Sequence, residues 1–334
     1  MLGTTTIAGM TTSLGIHHVT GIARDPQQNV DFYAGVLGLR LVKKTVNFDD
    51  PSTYHLYYGD EMGSPGSLLT FFPWPRARSG RAGVGEVAIT SLAIAPRSIG
   101  YWLERFVTKG VEHSVPSRRF GESVIAFKDR DGLQLELVAT ESADDRGSWS
   151  GSSVPAEQAI HGVHSVTLWE HSLERTEQVL VNGLGFRRES TEDTTTRFVI
   201  GKGGASEIVD VRVVGGFLAP VGGAGTIHHV AFRAESDATE LDLRSTVVGL
   251  GMHPTPVIDR EYFHSVYFRE PGGVLFELAT DAPGFTVDEP LDGLGTALML
   301  PPQYEPSRAE IENELAPIHE PLMPPLHESD AVTS

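Results

Sequence analysis

The sequence predicts an α+β protein assembled from four copies of one unit: a strand, a helix, then three strands. Three observations carry this prediction. The first is internal repetition, because strand-like, helix-like and three more strand-like stretches follow one another four times. The second is a near copy: Ile16-His17-His18-Val19-Thr20 opens the first unit and Ile227-His228-His229-Val230-Ala231 the fourth. The third is Gly273-Val274-Leu275-Phe276-Glu277-Leu278-Ala279, a strand pattern after the turn Pro271-Gly272-Gly273 with one carboxylate in its middle.

The first unit starts with a strand over 15–23. A helix opens at Asp25-Pro26, Asp as its cap and Pro in its first turn. Val30, Tyr33, Val36 and Leu37 fall at helical spacing on one apolar face, and Gly38 ends the helix. Strands follow over 40–48, 54–59 and 68–72, separated by turn-rich segments. The second unit has a strand over 85–95 and a helix over 98–109, with Tyr101, Trp102, Phe106 and Val107 placed to pack. Its further strands lie over 117–120, 123–128 and 133–139. The third opens at His161, with a helix over 172–182 and strands over 186–189, 196–200 and 207–213. The fourth opens at Thr226, with a helix over 238–248 and strands near Met252, over 264–269 and over 273–279.

The expected division follows chain order. Residues 1–145 form an N-terminal domain of units one and two, and 160–290 a C-terminal domain of units three and four. The stretch 146–159, set in a region rich in Ser, Gly, Asp and Pro, reads as the linker. Residues 291–334 are an extension: 291–304 has packing residues, 309–315 a short helical pattern, and the Pro-rich polar end is expected to be disordered.

The formal net charge of −18 over 334 residues gives a surface that repels phosphate backbones, which argues against nucleic acid as a partner. There is no cysteine, so any metal must be held by His, carboxylate or other oxygen and nitrogen ligands. No basic, apolar leader starts the chain and no apolar run reaches membrane-spanning length, so a soluble cytoplasmic protein is expected, with no membrane partner. The oligomeric state is left open, a homo-oligomer included.

Strand alternation puts Leu275, Glu277 and Ala279 on one face. A carboxylate in that company is costly unless paired, protonated or bound to a cation. The ordinary reading is a glutamate paired with a surface Lys or Arg. The duplicated His-His stretches change the balance: one His from each of two equivalent strands, with Glu277, makes a two-His-one-carboxylate set suited to a divalent first-row metal with open positions.

Together with Phe32-Tyr33-Ala34-Gly35-Val36-Leu37-Gly38, these stretches resemble the vicinal oxygen chelate superfamily, which includes glyoxalase I, bleomycin-resistance proteins and extradiol ring-cleaving dioxygenases. That resemblance implies βαβββ modules paired into two cupped, barrel-like domains. The run 41–58, Phe72-Pro73 and Arg260-Glu261-Tyr262-Phe263 resemble, more narrowly, the hydroquinone-type ring-cleaving dioxygenases. By that resemblance His18, His229 and Glu277 bind Fe(II), with Mn(II) suited to the same set, and the substrates are a small aromatic diol and O2. His17, Thr20, His228, Arg260 and Tyr267 match positions near the substrate. His228 is then the expected base, able to titrate near neutral pH; Tyr267 a hydrogen-bonding group; and Arg260 an oxyanion partner.

Catechol-type relatives place the metal between modules three and four, which would put His164 in place of His18. His18 is preferred because its stretch copies that of His229. A glyoxalase-type lyase or isomerase usually needs a further protein ligand, and 68–72 offers no acid. A non-enzymatic binder needs no ligand triad. Phe72 and Trp74 fit either pocket walls or core, and His55 and His264 fit structural roles. Glu136 occupies in module two the place of Glu277 in module four, without an opening His.

Overall fold

The computed structural model describes residues 11–319, apart from Arg146 and Phe217. The start of the chain and the polar end expected to be disordered lie outside the described residues. The four repeats are all present. Module one has β1 (Ile16–Ala23), β2 (Arg40–Asn47), β3 (Asp50–Gly59) and β4 (Leu68–Pro73). Module two has β5 (Glu86–Ile94), β6 (Ser117–Arg119), β7 (Glu122–Lys128) and β8 (Gln134–Ala139). Module three has β9 (Ile160–Glu170), β10 (Arg187–Glu192), β11 (Thr195–Val199) and β12 (Ile208–Val213). Module four has β13 (Thr226–Ala234), β14 (Ile258–Asp259), β15 (Phe263–Arg269) and β16 (Leu275–Pro283).

The strands form two 8-stranded sheets, β14-β15-β16-β13-β1-β4-β3-β2 and β10-β11-β12-β9-β5-β8-β7-β6. Module one thus shares a sheet with module four, and module two with module three. This corrects the expectation that units pair in chain order as 1–145 and 160–290. Adjacency in sequence is a common guide to pairing, but connections long enough to cross override it. Here the connections 74–85 and 214–225 both cross between sheets and bond to each other. Gly80 N–H donates to Ala224 O (2.8 Å), and Arg81 and Val221 exchange backbone bonds of 2.8 and 2.9 Å.

The helices follow their caps. Asp25 accepts from Gln28 N–H and Pro26 occupies the first turn of α1 (Pro26–Val30), which continues as a π turn over Asp31–Val36 before Gly38. Val30, Tyr33, Val36 and Leu37 are all buried, as their spacing predicts. In α2 (Ile99–Lys109) Trp102 and Phe106 are buried, but Val107 is exposed, because one residue past Phe106 the helix has rotated it about 100° off the buried stripe. The expected strand near Met252 is replaced by the two-residue β14, since Pro254 and Pro256 deny that stretch its ladder donors.

At Gly272, in the turn before β16, any side chain would have to displace the buried Glu170 carboxyl. A Cβ there would lie 1.9 Å from Glu170 Oε2. The extension packs on module one: Met299 N–H donates to Lys44 O (2.9 Å), Tyr304 hydroxyl to Phe48 O (2.7 Å), and a short helix, Arg308–Glu314, buries Ile311. Lys43, fully buried, holds Asp288 (2.6 Å) and Glu289 of the segment after β16. Among the described residues no helix is long and apolar enough to cross a membrane.

Candidate metal centre

β1 and β13 are the antiparallel neighbours at the centre of the first sheet, with Thr20 opposite His229, and β16 runs parallel to β13 with Glu277 beside Ala231. That register brings three residues far apart in sequence to one spot. His18 Nε2 and His229 Nε2 lie 3.2 Å apart. Glu277 Oε2 lies 3.3 Å from the first and 2.8 Å from the second. All three residues are buried, Glu277 completely. It is the one group of His and acidic side chains, among the described residues, able to hold an ion.

The remaining atoms of these side chains are already committed. Ser265 hydroxyl donates to Glu277 Oε1, while Oε2 is buried without a hydrogen-bond donor. His18 Nδ1 faces His17 Nδ1 at 2.9 Å, and His229 Nδ1 faces His228 Nδ1 at 2.7 Å. Each such pair shares one proton. If the ligand histidines carry it on Nδ1, both Nε2 lone pairs point at Glu277 Oε2, the tautomer that an outer hydrogen bond sets in metal-binding histidines. Three lone pairs then converge with edges of about 3 Å, the spacing of neighbouring ligands at right angles about an ion with bonds of ~2.1 Å. The residues fit a divalent cation. Without one, three acceptors would face each other in a buried site.

Burial alone would raise the Glu277 carboxyl, but the imidazoles of His18 and His229 reverse this and hold it well below the usual range. Burial lowers His229 from its ordinary value, with Glu277 acting against it. Both groups are therefore ready as ligands at neutral pH.

A cavity of about 470 Å³ opens above the set, walled by Phe48, His55, Phe72, Trp74 and Phe263. Tyr267 and Arg260 also line it, with the Arg260 guanidinium 5.4 Å from the Tyr267 ring centre. Burial, then the Glu277 charge, raises the Tyr267 phenol, so it stays a proton donor. Arg260 also bonds Asp49 at the cavity mouth (3.1 Å).

The sequence-derived residues divide as follows. His18, His229 and Glu277 meet; Tyr267, Arg260 and His228 border the cavity. His228 is pushed down to about 3, burial first and His229 second, so the structure does not give it the near-neutral titration expected of a base. Thr20 lies just behind the ligands, its Oγ1 2.8 Å from His229 Nε2. His17 is buried against Phe263, does not border the cavity, and supports His18 from behind. His164 sits in the other sheet, 3.1 Å from Glu122, which removes it from the set. There, both oxygens of Glu136 are taken by the Arg119 guanidinium (2.9 and 2.5 Å). Reading the sequence missed Ser265, Thr70 and Tyr57, because register alone brings them to the site.

Paired modules curled around inward-facing His, His and Glu side chains are the architecture of glyoxalase-type metal proteins, and the signature of the Glyoxalase/Bleomycin resistance protein/Dioxygenase superfamily matches residues 15–137. The chain belongs to this superfamily. Among its relatives, MhqO of Bacillus subtilis, named provisionally as a ring-cleaving dioxygenase, is 44% identical over 91% of this chain and 96% of its own. The chlorohydroquinone/hydroquinone 1,2-dioxygenase of Sphingobium indicum is 33% identical over 89% and 94%. A crystal structure of a provisionally named dioxygenase from Bacillus subtilis superposes with a TM-score of 0.89 at 43% identity, covering 93% of this chain and 99% of the other. Maize glyoxalase I, at 16% identity, 80% and 92% coverage and a TM-score of 0.58, shares the fold.

Proposed function

We propose that this protein is a metal-dependent ring-cleaving dioxygenase that inserts O2 into a hydroquinone-type aromatic diol. The observation that carries the reading is the convergence of His18, His229 and Glu277 at the floor of a cavity walled by aromatic rings. The kinship with a hydroquinone dioxygenase over nearly the whole chain supports the substrate class. A volume of about 470 Å³ suits a single substituted ring.

The metal is Fe(II), with Mn(II) an acceptable occupant, held by His18, His229 and Glu277. When bound, it supplies an electron path between an electron-rich ring and O2 and acidifies a diol hydroxyl. The protein does the rest. Phe72, Trp74 and Phe263 sandwich the ring and exclude water. Arg260, fixed by Asp49 and stacked near Tyr267, offers positive charge where the ring oxygen becomes anionic. Tyr267 donates its phenolic proton to an oxygen of the bound substrate. His228 lies beside Phe72 at the cavity wall; its Nδ1 accepts from His229, so its neutral imidazole presents Nε2–H as a hydrogen-bond donor to a substrate oxygen. Both atoms of O2 end in the ring-opened product.

The test is metal analysis of anaerobically purified protein, with oxygen uptake measured on hydroquinone and on catechol. Near-stoichiometric iron or manganese with uptake on hydroquinone is expected. Uptake on catechol alone would overturn the substrate class, and no metal with no uptake would overturn the enzyme reading.

A further inference from the structure

One row of side chains crosses the first sheet at a single level. Tyr57 on β3 pairs with Thr70 on β4, Thr70 with Thr20 on β1, and Thr20 with His229 on β13. Because they are in register, they share the concave face, and their polar atoms connect. Tyr57 Oη lies 2.7 Å from His55 Nδ1, and His55 Nε2 lies 2.9 Å from Thr70 Oγ1. Thr70 Oγ1 lies 2.7 Å from Thr20 Oγ1, which lies 2.8 Å from His229 Nε2. Thr20 and Thr70 have no exposed surface and Tyr57 almost none. The chain of contacts ends on the ligating nitrogen of the metal site.

We propose that His55 is a positioning residue. It locks this row so that, with metal bound, every proton points one way: Tyr57 to His55, His55 to Thr70, Thr70 to Thr20, and Thr20 towards the ligand set. The inference rests on the metal-site reading given above. A neutral imidazole carries one N–H, so the two ring nitrogens of His55 must play opposite roles, and only two polarities exist for the row. The reverse polarity would start from a proton on His229 Nε2, which a metal ion displaces. It would also leave the buried Tyr57 hydroxyl as a donor without a partner, since His55 is its one hydrogen-bond partner among the described residues. The forward polarity gives the Tyr57 hydroxyl its acceptor and asks for no proton on the ligating nitrogen. Burial, then the neighbouring His18 and His229, keeps His55 well below its ordinary value, so the single-proton condition holds across the working pH range.

The decisive measurement is long-range ¹⁵N–¹H NMR of the histidine rings in protein loaded with Zn(II), a diamagnetic stand-in. The expected spectrum shows His229 bound through Nε2 and His55 protonated on Nε2. His55 protonated on Nδ1, with His229 zinc-bound, overturns the proposed polarity and leaves the metal site standing. No zinc on His229 overturns both. A second measurement guards against a purely structural effect. Thr70→Val removes the middle hydroxyl while keeping the side chain's shape. It should leave zinc affinity within about twofold, lower kcat about 10-fold with little change in KM for the diol, and release His55 from a single tautomer, while Thr70→Ser restores all three. A fall worth about 1.4 kcal/mol is what losing one aligned hydrogen bond supplies. Unchanged kcat and an unchanged His55 tautomer in Thr70→Val would overturn the role.

Discussion

Ser265→Ala tests how much of the proposed metal site lies outside its three proposed ligands. Ser265 has no exposed surface, and its hydroxyl is the donor to Glu277 Oε1 on the neighbouring strand. Removing it costs a hydrogen bond to a charged group, worth about 1.5–3 kcal/mol, and leaves a buried carboxylate oxygen without a donor. Because the bond exists with or without an ion, a loss of that size is expected in the unfolding free energy of the metal-free protein. The carboxylate also becomes free to rotate about its last bond, so Oε2 no longer holds its place 2.8 Å from His229 Nε2. Loss of such an outer partner weakens metal binding about 10–100-fold. The assays are urea unfolding of the apoprotein and competition of apoprotein against a chromophoric chelator for Zn(II) or Fe(II). A Ser265→Ala protein with parental metal affinity and parental unfolding midpoint would refute the argument, since the carboxylate would then need no support from β15.

Other expectations concern separate groups. His229→Ala and Glu277→Ala should each abolish metal retention on gel filtration, and full activity in either would remove the proposed ligand set. Glu170 is raised to about 8 by burial and then by Glu270, so it is protonated in the fold and ionised in the unfolded chain over the range between about 4.5 and 8. Its contribution is complete below the unfolded value and is lost as pH rises through about 8. Glu170→Gln should therefore gain on the parent protein in urea midpoint as pH rises across that window, and a constant difference would contradict the buried carboxyl pair. Arg119→Met strands Glu136 in the second cup. Since Arg119 is about a quarter exposed, the loss should fall near 2–3 kcal/mol, below the 3–5 typical of fully buried pairs, and a neutral effect on unfolding would show that water reaches Glu136.

Much of the fold is legible in the sequence because its signals are local. Asp25-Pro26 and Gly38 bracket a helix by capping chemistry, and the Val30, Tyr33, Val36 and Leu37 spacing identifies its buried face. The His-His copies and Glu277 mark in the sequence the strands that meet at the candidate site. Module pairing is not local. Nothing in 74–85 states that it crosses to another sheet, since the bonds that hold it are to 214–225. The same limit hides Ser265, Thr70 and Tyr57, ordinary strand residues whose roles come from the strand beside them. Val107 shows a subtler failure: at helical spacing one apolar residue too many fits the stripe, and only packing decides which is left in solvent.

The pairing of module one with module four sets the order of events during synthesis. His18 and His229 are 211 residues apart. At translation rates of 5–20 residues per second, roughly 10–40 s pass between their emergence. Throughout that time β1 lacks its central partner, and the half-built site presents two histidines from one strand. Modules two and three, contiguous in the chain, can meanwhile close their own sheet, with Arg119 already neutralising Glu136. The cup with arginine at its centre is thus positioned to be the first folded body on the ribosome, a scaffold needing no ion. The catalytic cup would then close around it last, taking up metal only once the nascent chain is nearly complete.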